Sequence, residues 1–291
     1  MNIKNYNILE LLSAGNFGAI YLGENKRTGE AVAIKIEKVE NKLMGSIKHE
    51  SQMLQYLYDK GIRSVPPIYW YGTVNEIQKY PAMVIPHYTC NLVEYRPSSL
   101  DNLFIQMIQI MEDIHRAFVV HRDIKPQNFM IKGDNLYLID FGLSTFFIDE
   151  KGEHVKDVIS ETMIGTPRFA SIHVHHGHRY SRRDDLISIG YLYVWLMNRG
   201  KCPWEPTRED IVRVDYLMNQ ENQENKKINN KINIRHEQNV ALLMNKDLYI
   251  FTHKCLLGSD HPIFKYLQYV YELDFSVGPD YSKMLEFFTK K

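Results

Sequence analysis

Near the start of this chain apolar residues recur at every second position. Further on they recur at every third or fourth, and this change of period constrains the fold more than any other feature. Tyr6 to Leu12, Ala19 to Asn25 and Ala31 to Glu37 alternate apolar and polar residues between glycine-bearing turns, the pattern of half-buried strands. Ser46 to Tyr58 carries Ile47, Met53, Leu54 and Leu57 at helical spacing, and the prolines Pro66 and Pro67 then break the chain. Tyr80 to Ile85 is a further strand, stopped at Pro86, and from Ser99 onward Leu100, Leu103, Phe104, Met107, Ile108 and Met111 fall on one helical face. The implied fold class is α+β. A small β-rich lobe over about residues 1–86 precedes a larger α-helical lobe over 87–291, joined near residues 86–90. A length of 291 residues is long for one core and natural for two lobes of a single domain. Residues 219–233, dense in Asn, Gln, Glu and Lys, read as a solvated insert with no core to bury.

Composition excludes several functions. Lys and Arg number 35 and Asp and Glu 35, so no global field draws the chain to nucleic acid or to an anionic membrane. Cys90, Cys202 and Cys255 are an odd set lying far apart, which argues against a disulfide framework or a zinc site and for a reducing compartment. No apolar run is long enough to cross a bilayer, no apolar leader opens the chain, and neither terminus carries a lipidation signal. The expectation is a soluble monomer of the cytoplasm, with the nucleus also open.

The stretch His121 to Asn128 reads H-R-D-I-K-P-Q-N, and twelve residues later comes Asp140-Phe141-Gly142. Asp123 is placed to accept a proton from a hydroxyl, and Lys125 to neutralise charge on a moving phosphoryl group. Asn128 and Asp140 are oxygen donors suited to Mg²⁺. Upstream, Ser13 to Gly18 reads S-A-G-N-F-G. Gly15 and Gly18 there let backbone N–H groups approach phosphate with no Cβ in the way. Next comes Val32-Ala33-Ile34-Lys35, whose lysine suits the α- and β-phosphates and needs a carboxylate to orient it. Glu50 is the candidate, with Glu37 and Glu40 as competitors. This series is the pattern of protein kinases, with ATP and Mg²⁺ as cofactors. Leu12, Ile20, Ala33 and Ile85 are then expected to line the adenine site. Pro86, which keeps its C=O but has no N–H, accepts from the exocyclic amine while the N–H of Tyr88 donates.

The second half narrows the resemblance. Gly165 to Ala170 reads G-T-P-R-F-A, followed by S-I-H, then S-R-R-D-D-L from Ser181 and P-D-Y-S from Pro279. With the G-N-F-G-A-I-Y-L-G start and K-H-E-S around Glu50, the chain resembles the casein kinase 1 family of Ser/Thr protein kinases over about residues 6–288. The resemblance implies transfer of the ATP γ-phosphate to Ser or Thr of acidic or pre-phosphorylated proteins. It also implies that Asp185 braces the catalytic loop and that Arg168 binds an anion near the peptide groove, an ion pair being the alternative for Arg168. The family's lysine partner for that anion falls in the divergent region after Trp204.

Departures from the pattern bear on activity. Ser13 replaces the first loop glycine and is the support for a rival reading as a catalytically weak pseudokinase that scaffolds by binding ATP. Arg122 speaks against the vaccinia-related kinases, whose loop begins H-G-D. The full motif series speaks against small-molecule kinases of the aminoglycoside type. His173 to His178 is expected to be a solvated, extended loop rather than a metal site. With no long tail after Lys291, constitutive activity is expected.

Overall fold

The computed structural model describes residues 3, 5–15, 18–37, 47–74, 79–160, 162–221, 238–246 and 261–289. The chain divides into two compact units. One comprises Met1–Ser98, Gln109–His121 and Pro126–Phe146; the other comprises Ser99–Ile108, Arg122–Lys125 and Phe147–Lys291.

In the first unit β1 (Tyr6–Gly15), β2 (Gly18–Asn25), β3 (Ala31–Glu37), β4 (Trp70–Val74) and β5 (Tyr80–Pro86) form an antiparallel sheet in the order β1-β2-β3-β5-β4. Alternation along β3 explains its two faces. Val32, Ile34 and Ile36 are buried in one apolar cluster with Ile3, Tyr6, Val74, Ala82 and Val84, while Ala33 and Lys35 point the other way. Pro86 is tolerated because it is the last residue of its strand, opposite Val32. Helix α1 (Ile47–Asp59) buries Ile47, Glu50, Met53, Leu54 and Leu57 on one side. Its first N–H, that of Ile47, donates to a Glu37 carboxylate oxygen at 3.0 Å. A smaller sheet pairs β6 (Cys90–Asn91) with β8 (Phe129–Lys132) and β8 with β9 (Asn135–Leu138). The short strands β7 (Val119–Val120) and β10 (Thr145–Phe146) pair with each other. Helix α2 (Leu100–Arg116) contributes residues to both units.

The second unit is helical. Its α3 (Ile172–His175), α4 (Arg182–Met197), α5 (Arg208–Glu221), α6 (238–246), α7 (Pro262–Tyr271) and α8 (Tyr281–Thr289) surround an aromatic core. In that core the Phe104 ring lies edge-on to Tyr193, Tyr266 and Phe288. Helix α4 starts in a capping box: the Ser181 N–H donates to Asp184 at 2.7 Å, and the residues from Arg183 to Trp195 are buried. Apolar residues on every side mark α4 as the central helix of this unit.

The histidine stretch is not extended as expected. Ser171 caps α3, its Oγ accepting the N–H of Val174 at 3.1 Å, and this turns residues 172–175 into a helix. The polar stretch beyond Glu221 and Cys255 lie outside the described residues.

Candidate active site

The residues expected at the nucleotide and metal all belong to the first unit. Gly15 and Gly18 pair across the tip of the β1–β2 hairpin. Gly18 has φ +153°, and a Cβ there would sit 2.1 Å from the Ile36 carbonyl oxygen, so only glycine fits. Leu12 on β1 is exposed, and Ile20 on β2 stands directly opposite Lys35. Ser13 pairs opposite Ile20, just after a register shift between Leu11 and Ser13 in β1. Ala33 stands between Leu22 and Ile85 in the sheet, and Ile85 is buried. Beyond Pro86, the His87 N–H reaches Ala31 O at 3.4 Å. The Tyr88 ring is buried against Tyr137 at 4.9 Å, and its hydroxyl has no hydrogen-bond partner among the described residues; burial pushes that phenol up.

Lys35 gathers this half together. Its Nζ donates to Glu50 at 2.5 Å and to Asp140 Oδ1 at 3.0 Å. Burial alone would lower the Lys35 pKa, but the two carboxylates outweigh it and hold the ammonium charged above its ordinary range. Burial pushes Glu50 up, and the Lys35 charge opposes that shift. Glu37 is engaged at the start of α1, which leaves Glu50 to pair with Lys35, while Glu40 lies outside the described residues.

Asp140 has φ 66° and ψ 64°, a left-handed conformation unusual for a residue with a side chain. The next residue, Phe141, is fully buried edge-on to His121, ring centroids 4.8 Å apart, and His121 Nε2 lies 3.0 Å from Ile139 O. Asn128 ends a 3-10 turn (Pro126–Asn128) and is buried, its carbonyl accepting the Ile139 N–H at 2.9 Å. Asp140 keeps 38% of its side-chain surface open while one oxygen meets Lys35. Among the described residues no group of three or more His, Cys, Asp or Glu could hold a metal unaided. One carboxylate plus one amide oxygen suits a cation that takes its remaining ligands from phosphates and water.

The residues expected at the reacting hydroxyl and the peptide belong to the second unit. Both oxygens of Asp123 are engaged: Lys125 Nζ donates to Oδ2 at 2.6 Å and the Thr166 hydroxyl to Oδ1 at 2.7 Å. Asp123 is 7% exposed, so its carboxylate is fixed in direction and nearly dry. Asp185 Oδ1 accepts the Arg122 N–H at 3.0 Å, the brace that the resemblance implies. Gly165, at φ +90°, lies against Arg122; a Cβ there would be 2.3 Å from the Arg122 carbonyl oxygen. The G-T pair is therefore locked to the H-R-D loop at both residues.

Arg168 forms an ion pair: its NH2 donates to Glu205 at 2.7 Å, with both side chains about half exposed. Lys246, on α6, is a residue that sequence reasoning missed. It is fully buried, and its Nζ donates to Pro167 O at 2.8 Å and to Ala170 O at 2.7 Å, with His175 Nε2 at 3.0 Å. It also lies 5.0 Å from the Tyr191 ring centroid. Burial first, then the Lys246 charge, lower the His175 pKa to about 3. His178 pairs with Asp157 at 2.8 Å.

The model of the protein kinase domain family matches residues 6–261. A probable casein kinase I homolog of Encephalitozoon cuniculi (strain GB-M1) is 33% identical over 222 residues, which are 70% of this chain and 69% of the relative. The chain belongs to the casein kinase 1 family of protein kinases. It has the protein kinase fold, β-rich in its N-terminal part and helical in its C-terminal part. As a protein kinase it uses ATP with a divalent metal and acts on protein substrates. No helix among the described residues is long and apolar enough to cross a membrane.

Proposed function

We propose that this kinase transfers the γ-phosphate of Mg²⁺-bound ATP to Ser or Thr of proteins whose flanking residues are acidic or phosphorylated. The observation that carries the reading is Lys35 bonded at once to Glu50 and Asp140, which pre-positions an ammonium for phosphate and a carboxylate for metal. Asp140 and Asn128 would hold the metal, whose charge, when bound, neutralises the phosphates during transfer. Asp123 orients the acceptor hydroxyl and takes its proton as the oxygen attacks the γ-phosphorus in line and the bond to ADP breaks. Lys125, on the same carboxylate, balances charge on the moving phosphoryl group. Arg168 faces the anionic residue of the peptide. The protein acts as a monomer in the cytoplasm.

The test is Mg²⁺-ATP phosphorylation of casein with the wild type and Asp123→Asn. The reading expects transfer by the wild type and a loss of about 10²–10⁴-fold in the variant, with nucleotide binding retained. ATP bound with no transfer to any protein would instead favour the scaffold, whose support in the sequence is Ser13.

A further inference from the structure

Arg168, the residue read as the anchor for an anionic substrate residue, already has an anion on it. Its partner Glu205 belongs to the same chain, and the pair faces solvent, with 50% and 47% of the two side chains exposed. The backbone builds this pairing in. Trp204 is fully buried, its Nε1–H donates to the Arg168 carbonyl at 3.0 Å, and its ring packs 4.7 Å from that of Tyr191. Glu205 is the next residue, and its N–H closes a turn onto Cys202 O at 3.1 Å. The residue that fixes the Arg168 backbone is thus the covalent neighbour of the one that covers its side chain. On either side of Arg168, the Pro167 and Ala170 carbonyls are tied to Lys246.

The charges of the exposed pair then cancel each other. The nearby Lys246 is fully buried with its donors turned to carbonyls and to His175, so it offers no hydrogen bond to an incoming peptide. An anionic side chain must displace Glu205 or share the guanidinium with it. A phosphoserine carries about twice the charge of a carboxylate near neutral pH, and Glu205 offsets much of the pull that Arg168 exerts on it.

We infer that Glu205 is a specificity-determining residue: it stands on Arg168 as an internal substitute for the substrate's anion and lowers the advantage that Arg168 alone would give a pre-phosphorylated peptide. The inference rests on the reading that Arg168 faces the substrate.

The experiment compares kcat/KM for two peptides that differ only in phosphoserine or serine three residues before the target. The enzymes are the wild type, Glu205→Gln, and the double variant Arg168→Ala with Glu205→Gln. An exposed ion pair is worth up to about 1 kcal/mol, so Glu205→Gln is expected to raise the phosphorylated-to-unphosphorylated ratio about fivefold, and the double variant to cancel the rise. A wild-type ratio above about tenfold, corresponding to about 1.4 kcal/mol, would overturn the inference. A ratio unmoved by Glu205→Gln, or a rise that survives loss of Arg168, would overturn it too. Transfer to the unphosphorylated peptide reports the kinase reading separately, so failure of the inference alone appears as an unmoved ratio in an active enzyme.

Discussion

Replacing Lys246 with methionine keeps the length and apolar stem of the side chain and deletes its charge and its donors. The Pro167 and Ala170 carbonyls and His175 Nε2 then face the space left by a fully buried ammonium. A buried polar atom left without a partner costs about 1–3 kcal/mol; Pro167 O keeps His175 Nε2 at 3.0 Å, so that cost falls on the Ala170 carbonyl. Removing a buried ion returns part of its desolvation penalty, which leaves an expected net loss of about 1–2 kcal/mol. That is a measurable part of a typical folding free energy of about 5–15 kcal/mol, and the variant should still fold. Urea unfolding followed by tryptophan fluorescence measures the loss, and buried Trp204 reports on the affected segment because it bonds Arg168 O. The released segment carries Thr166 and Arg168, so the peptide KM should rise while nucleotide affinity holds. A loss below about 0.5 kcal/mol, the level of an unremarkable surface change, would refute the reasoning. So would equal effects on peptide and nucleotide.

Lys35→Met removes the partner of buried Glu50 and the contact to Asp140; phosphate transfer should fall about 10²–10³-fold in a steady-state assay, with Glu50 taking up a proton. Gly165→Ala forces a side chain into a left-handed position against the Arg122 carbonyl, and should lower stability by about 1–3 kcal/mol in denaturant titration. Stability should fall as pH drops from about 6.5 toward 4, read as a lower Tm by calorimetry. Burial, with Arg183 next, lowers His173 to about 4, and burial with Lys246 lowers His175 to about 3. The unfolded chain therefore binds protons on these two histidines that the folded chain refuses. Asp184, raised by burial to about 6, works the other way between about 3.8 and 6, as do Glu50 and Asp113, which burial also raises, while His154, lowered by burial, adds to the two histidines.

The strand carrying Val32-Ala33-Ile34-Lys35 was legible because alternation and turn glycines are local, and β3 spans Ala31–Glu37 as read. The α1 reading, Ser46 to Tyr58, meets a helix over Ile47–Asp59, one residue longer at its C-terminal end; Ser46 lies outside the described residues, and the Glu37 carboxylate that holds the Ile47 N–H is a tertiary partner. Strand β4 escaped because Trp70–Val74 alternates weakly and includes a glycine. Two fates were open for Arg168, and the ion pair with Glu205 is the one the fold displays. Lys246 could not be read at all. Lysine is ordinarily a surface residue, and its acceptors are backbone carbonyls some 76 and 79 residues away that no sequence pattern marks.

Asp140 adopts a left-handed backbone state that a Cβ resists by up to about 1–2 kcal/mol, aspartate less than most residues. The Lys35 contact and the burial of Phe141 against His121 hold it there. The joint therefore behaves as a loaded spring with two restraints. A conformer in which Asp140 leaves this backbone state recovers that energy but gives up the Lys35 contact and the burial of Phe141. An inhibitor that lodges where Phe141 now sits would collect the same return. Compounds of that kind are expected to select against the nucleotide-ready form without touching the backbone at Pro86.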